Sequence, residues 1–65
     1  MIPEKDIWQA ANLMIRRYGD DAAAEAERRA DQLRREGELA GSLTWQRILT
    51  AIGKLQQMTP EGPVH

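Results

Sequence analysis

The sequence predicts an all-α protein, either a small three-helix bundle or a helical hairpin with an additional N-terminal helix. Apolar residues recur every three or four positions in three segments, glycine or proline separates these segments, and no stretch alternates as a strand would. We expect one domain over residues 1–59, with helices at about 3–18, 21–36 and 40–58, and a flexible tail over residues 60–65.

The first predicted helix begins near Pro3, because proline lacks the N–H group that a first helical turn leaves unpaired. It ends at Gly19, which can adopt the left-handed conformation of a helix C-terminus. Leu13 lies almost opposite its main apolar face. That face comprises Ile7, Trp8, Ala11, Met14, Ile15 and Tyr18.

The second predicted helix lies in the segment GDDAAAEAERRADQLRREGELAG, residues 19–41, which has no aromatic residue. We expect Asp20 or Asp21 to cap it, since a short carboxylate can accept hydrogen bonds from free backbone N–H groups. Its small side chains predict a close approach of the neighbouring helices, towards the near end of the usual range of about 8–10 Å. They share one face: Ala22, Ala23, Ala26, Ala30 and, at its end, Leu33.

The charges of the second helix favour a solvated face held by ion pairs. Glu25 can reach Arg28 or Arg29, and Asp31 can reach Arg34 or Arg35. The arginine pairs could instead follow the phosphates of a nucleic acid. We favour the ion pairs, because adjacent residues diverge on a helix and acidic residues interleave with the arginines.

The third predicted helix begins between Glu38 and Leu43, with Ser42 a plausible cap, after a turn over residues 37–41. It ends near Met58, because Pro60 disfavours helical geometry at the preceding residue. It has an apolar face, Trp45, Ile48, Leu49, Ile52 and Leu55, and an opposite side with Gln46, Arg47, Lys54 and Gln57.

Composition narrows the function classes. The 65 residues include no cysteine, so disulfides and thiolate metal sites are excluded. The net charge of -1 argues against a general affinity for nucleic acid. No apolar run approaches the ~20 residues of a membrane span. We expect a soluble cytoplasmic protein.

The sequence predicts no catalytic, cofactor-binding or metal-binding residues. His65 is the single histidine, and the glycines near residue 40 lack the Lys-Ser/Thr ending of a phosphate loop. The carboxylates at Asp20 and Asp21 look exposed or helix-capping, whereas acid–base catalysis needs a cleft that shifts a pKa. We therefore expect no enzyme and no small-molecule ligand.

The candidate interaction residues are Leu13, Leu39 and Trp45, because the two leucines lie outside the apolar faces and tryptophan is enriched at interface hot spots. Trp8 and Trp45 lie on or beside apolar faces, which favours the core over an interface for both. Asn12 lies at the edge of the first apolar face, and two roles stay open for it: bonding a buried backbone group or fixing the register of an assembly.

Four short motifs occur in order along the chain. Asp6 to Asn12 reads D-I-W-x-A-A-N, Gly19 to Ala23 reads G-x-D-A-A, Arg29 to Leu33 reads R-A-D-x-L, and Trp45 to Ile52 reads W-x-R-I-x-x-A-I. Together they resemble a family of small stand-alone bacterial proteins of unknown function. The resemblance extends from Asp6 to Leu55 and implies a bacterial cytoplasmic protein, but no activity. Gly53 departs from the helix former expected there, which weakens the helix by about 1 kcal/mol or permits a close approach.

These observations predict a non-enzymatic module for protein–protein interaction or regulation, acting on an unidentified protein or as a homodimer. Three short helices have limited depth to cover two full apolar faces together with Leu13 and Leu39. The alternative is a small three-helix nucleic-acid-binding protein in which Thr44, Gln46 and Arg47 contact base edges, although the net charge speaks against it.

Overall fold

The structure, a computed structural model, describes residues 2–58 and contains three α-helices. They are α1 (Glu4–Tyr18), α2 (Ala22–Arg35) and α3 (Leu39–Met58), with a 3-10 turn, Gly19–Asp21, between α1 and α2. Residues 2–58 contain no strand, which confirms the all-α prediction. The predicted tail, residues 60–65, lies outside the described residues.

The ends of α1 follow from proline and glycine. Pro3 has an extended backbone and stands one position before the helix rather than in its first turn. Its carbonyl accepts the backbone N–H groups of Asp6 at 3.0 Å and Ile7 at 3.3 Å. Gly19 ends the helix with φ 57 and ψ -125, a conformation that a residue with a Cβ rarely adopts, and its N–H bonds the carbonyl of Ile15.

The predicted carboxylate cap of α2 is wrong. Asp21 occupies the cap position, but its side chain makes no capping hydrogen bond. The N–H of Ala22 bonds the carbonyl of Gly19 within the 3-10 turn instead. The tight turn thus supplies a backbone partner to one of the N–H groups that a helix start leaves free.

A three-residue turn joins α2 to α3. Gly37 has φ 84, a left-handed conformation that favours glycine. The N–H of Glu38 bonds the carbonyl of Leu33 at 2.8 Å, and the N–H of Gly37 bonds the carbonyl of Arg34 at 3.1 Å. This pair of bonds is the Schellman arrangement, which satisfies the last free carbonyls of α2 and turns the chain back.

Two predictions at the start of α3 are also wrong. The turn does not extend over residues 37–41, because α3 already begins at Leu39. Ser42 consequently lies in the first turn of the helix and not at its cap. It is 2% exposed, and its hydroxyl donates a 2.9 Å hydrogen bond to the carbonyl of Ala30 in α2. Ser42 therefore ties α3 to α2 instead of starting α3.

The core confirms the predicted alanine face of α2. Ala22, Ala26 and Ala30 are buried, with Ala26 at 0% exposure. Small side chains let α2 lie close to its neighbours: a Cβ added at Gly41 would stand 3.2 Å from a methyl carbon of Leu33. The bulk of the core comes from α1 and α3, through Ile7, Ala11, Met14, Ile48, Ala51 and Ile52.

The helices pack as an antiparallel hairpin of α2 and α3, with α1 added along the second half of α3. Arg47 donates to the carbonyl of Ile2, and Gln56 donates to the carbonyl of Gly19, each at 3.3 Å. The start of α1 therefore lies near residue 47 and its end near residue 56, so α1 runs in the same direction as α3. The first turns of α3 pack against α2 without such bonds to α1.

Candidate interaction surfaces

Glu25 lies at the centre of the first ion-pair cluster on α2. Its Oε1 lies 2.8 Å from Nη2 of Arg28, and its Oε2 lies 3.1 Å from Nε of Arg29. The hydrogen bonds from Arg28 and Arg29 hold the pKa of the Glu25 carboxyl below its ordinary value. The cluster confirms the predicted pairing and favours the ionised form of the Glu25 carboxyl.

Asp31 forms the second cluster. Its carboxylate pairs with Arg34 and, at 2.7 Å, with Arg35. Each carboxylate of these two clusters thus engages two arginines at once, and all of the partners lie within four residues of it on the same helix. The guanidinium groups are therefore oriented along α2 by their own acidic neighbours.

Arg29 also connects all three helices. Its Nη2 donates a 3.0 Å hydrogen bond to the hydroxyl of Tyr18 in α1, and its guanidinium carbon lies 5.9 Å from the centre of that ring. The same carbon lies 5.1 Å from the centre of the Trp45 ring in α3. Trp45 is half-buried and packs against the core. One face of its ring is thus occupied by Arg29.

The predicted interaction residues do not lie together. Leu13 in α1 is 55% exposed, Leu39 at the start of α3 is 61% exposed, and Trp45 is half-buried. The structure adds Leu43, which is 60% exposed and was not among the sequence candidates. Leu39 and Leu43 are four residues apart and so lie on one side of α3, whereas Leu13 is an isolated leucine on another helix.

Leu39 and Leu43 begin a longer stripe, which we call the outer face of α3. At 100° per residue its positions fall within one narrow arc opposite the buried residues Ile48 and Ile52. All of its residues are exposed, and none carries a charge. The outer face comprises Leu39, Leu43, Gln46, Thr50, Gly53 and Gln57.

A groove of about 870 Å³ between α2 and α3 adjoins this face. Gln46, Leu49 and Thr50 form its α3 wall, and Glu27 and Arg34 are among the charged residues on its α2 wall. The hydroxyl of Thr50 donates to the carbonyl of Gln46 in its own helix, at 3.1 Å. The hydroxyl is satisfied locally, so Thr50 needs no polar partner from outside.

A smaller groove of about 190 Å³ lies between α1 and α3. Trp8 and Ala51 contribute apolar surface to it, while Glu4, Arg47 and Lys54 add charges. Trp8 thus packs against the core and also lines this groove.

Asn12 is exposed, and its Nδ2 donates to the carbonyl of Trp8 at 3.2 Å. The carbonyl lies one turn back in the same helix, so the bond is local to α1.

Within residues 2–58 no group of three or more histidine, cysteine, aspartate or glutamate side chains is placed to hold a metal ion. None of the described helices combines the length and apolar character needed to cross a bilayer. Comparison of the chain with protein-family models, curated proteins and solved structures finds no match. The interpretation of function therefore depends on the surfaces described above.

Proposed function

We propose that this protein is a non-enzymatic module that binds another protein chain through the outer face of α3. The observation that carries the proposal is the exposed pair of leucines, Leu39 and Leu43, on a stripe without charge. Single exposed leucines are ordinary, but two on adjacent turns of an uncharged face form a patch. Interface cores are depleted in charged residues in the same way.

The character of α3 supports this proposal. Arg47 and Lys54 are the only charged residues in its 20 positions, although charged residues make up 29% of the chain. It is also more apolar and less one-sided than α1 and α2. Its outer face is uncharged along its length and carries large apolar residues at Leu39 and Leu43. Within the described chain, only one side of α3 is covered.

The ion pairs of α2 favour a protein partner over a nucleic acid. Phosphate contacts require basic side chains that can exchange their counterions for phosphates. Arg28 and Arg29 already bond Glu25, and Arg34 and Arg35 already bond Asp31. A phosphate would have to displace these carboxylates and would meet their negative charge.

Site-specific photo-crosslinking in the native cells tests the proposal. A photoreactive amino acid replaces Leu43 on the outer face, and the matched control replaces Leu13, which has a similar exposure of 55% against 60%. We expect a protein adduct of defined mass from position 43 and none from position 13. Equal adduct formation at both positions, no adduct at either, or an adduct with nucleic acid would contradict the proposal.

A further inference from the structure

We infer that the chain bound at the outer face of α3 is a second copy of this protein, docked antiparallel about a two-fold axis near Gln46. The inference builds on the proposed function and names its partner. Four observations carry it: the spacing of the outer face, the sizes of its residues, the unexplained Gly53, and the distribution of charge along α2.

The spacing of the outer face is compatible with a second helix packed alongside α3. The positions from Leu39 to Gln57 follow one another at intervals of four, three, four, three and four residues. This alternation is the heptad spacing that keeps one seam of a helix facing a partner helix. The outer face is therefore a continuous uncharged surface along most of α3, with its large apolar residues, Leu39 and Leu43, at one end.

The residue sizes favour an antiparallel partner. The large residues, Leu39 and Leu43, lie at the start of the outer face, and the small residues, Thr50 and Gly53, lie towards its end. An antiparallel register centred on Gln46 sets Leu39 opposite the partner's Gly53 and Leu43 within one residue of the partner's Thr50. A parallel register would set leucine against leucine and leave a gap between the small residues.

This arrangement explains why a glycine stands at position 53. Glycine weakens a helix interior, and a Cβ added at Gly53 would meet no described atom within 4 Å beyond the adjoining residues and backbone of its own helix. The close approach considered from the sequence is therefore not made within the described chain. In the antiparallel register, the side chain of Leu39 from the second copy occupies the space above Gly53.

The charges of α2 complement those of α2 in a second copy that is docked in this antiparallel orientation. Residues 20–27 contain four acidic residues and no basic residue, whereas residues 28–36 contain four arginines and two acidic residues. Antiparallel docking of α3 on α3 sets the acidic half of each α2 level with the basic half of the other. The complementarity favours this docking and disfavours the parallel one, in which like halves would meet.

Sedimentation velocity of the purified protein over a dilution series from about 1 μM to 1 mM tests the dimer. We expect a concentration-dependent dimer whose dissociation constant rises at least about 100-fold in Leu43→Glu, because each dimer loses two buried leucines and buries two carboxylates. Leu13→Glu, with the same change at an exposed leucine off the outer face, should leave the constant unchanged. Circular dichroism verifies that both variants are folded.

A single-cysteine variant tests the position of the axis. The chain has no cysteine, so Gln46→Cys offers one thiol per copy, and two such thiols lie together at the proposed axis. Oxidation joins two thiols into one disulfide and transfers two electrons and two protons to an added oxidant such as diamide. We expect covalent dimers from Gln46→Cys to form faster than from Leu13→Cys.

The results separate this inference from the proposed function. Equal crosslinking of the two cysteine variants overturns the two-fold axis near Gln46. A monomer at every concentration overturns the second copy as partner. In that case an adduct of another mass at position 43 in cells still supports the interaction module. A dimer that Leu43→Glu leaves intact overturns the outer face as its interface.

Discussion

Replacement of Ala26 by leucine tests the closest packing in the fold. Ala26 is fully buried at 0% exposure on the face of α2 that meets the core. Leucine adds three carbons to a site with no free surface, and overpacking of this kind costs about 1–3 kcal/mol. A lone core of this size rarely supplies more than about 3–5 kcal/mol, so the change removes a large part of the stability.

Thermal unfolding of the wild type and the variant, both at about 1 μM, measures the loss. A cost of about 2 kcal/mol lowers the midpoint by roughly 8–16 °C in a chain of this length. Ala24→Leu is the matched control, because Ala24 is an exposed residue of the same helix. Equal midpoints for the two variants would show that Ala26 faces open space and would refute the packing described for α2.

Three further changes test individual contacts. Ser42→Ala removes the buried hydrogen bond to Ala30 and should lower the free energy of urea unfolding by about 1 kcal/mol; an unchanged value would show that the bond contributes nothing. Gly53→Ala should stabilise the dilute protein by about 1 kcal/mol and so raise its melting temperature, because alanine is the better helix former and the new methyl group meets open space. A lower melting temperature would indicate a contact at Gly53 that the structure does not show. The pKa of Glu25 is lower in the folded protein than in the unfolded chain, so its carboxylate stabilises the fold at pH values above the unfolded pKa of about 4.3. This stabilisation is lost as the pH falls through the pKa of the folded state. Wild type should thus exceed Glu25→Gln in stability at pH 7, with the gap closing below about pH 4; a gap of the same size at pH 3 would contradict this assignment.

The helices and the alanine face could be predicted because they depend on local periodicity and on glycine at the helix ends. The cap residues could not, because backbone groups compete with side chains for the same partners. At Asp21 a 3-10 turn supplies the bond to the next N–H group, and at Ser42 the helix begins three residues earlier. That early start also hid Leu43, since a residue at a presumed boundary has no assigned face. The four-residue spacing of Leu39 and Leu43, followed by Gln46 and Thr50, was the available signal.

Trp45 shows a second limit of sequence-based prediction. Its position on an apolar face favours a core residue, but an interface residue is compatible with the same pattern. The structure shows Trp45 half-buried against the core, with Arg29 over its ring while Arg29 also bonds Tyr18 of α1 and Glu25 of α2. Contacts among residues this far apart in the chain depend on the helix arrangement, so they could not be derived from local spacing.

The hairpin of α2 and α3 has a consequence for the order of folding. Its two helices are joined by three residues and contact each other more extensively than any other pair of elements, whereas α1 makes few contacts with α2. Contacts between neighbouring segments form fastest, so the hairpin should assemble first and α1 should dock afterwards. In the native state, the amides of α1 should accordingly exchange their hydrogens by local opening sooner than those of the hairpin. Such opening would bare the side of α3 that contacts α1, which lies opposite the outer face proposed to bind a second chain, so the two events would involve opposite sides of one helix.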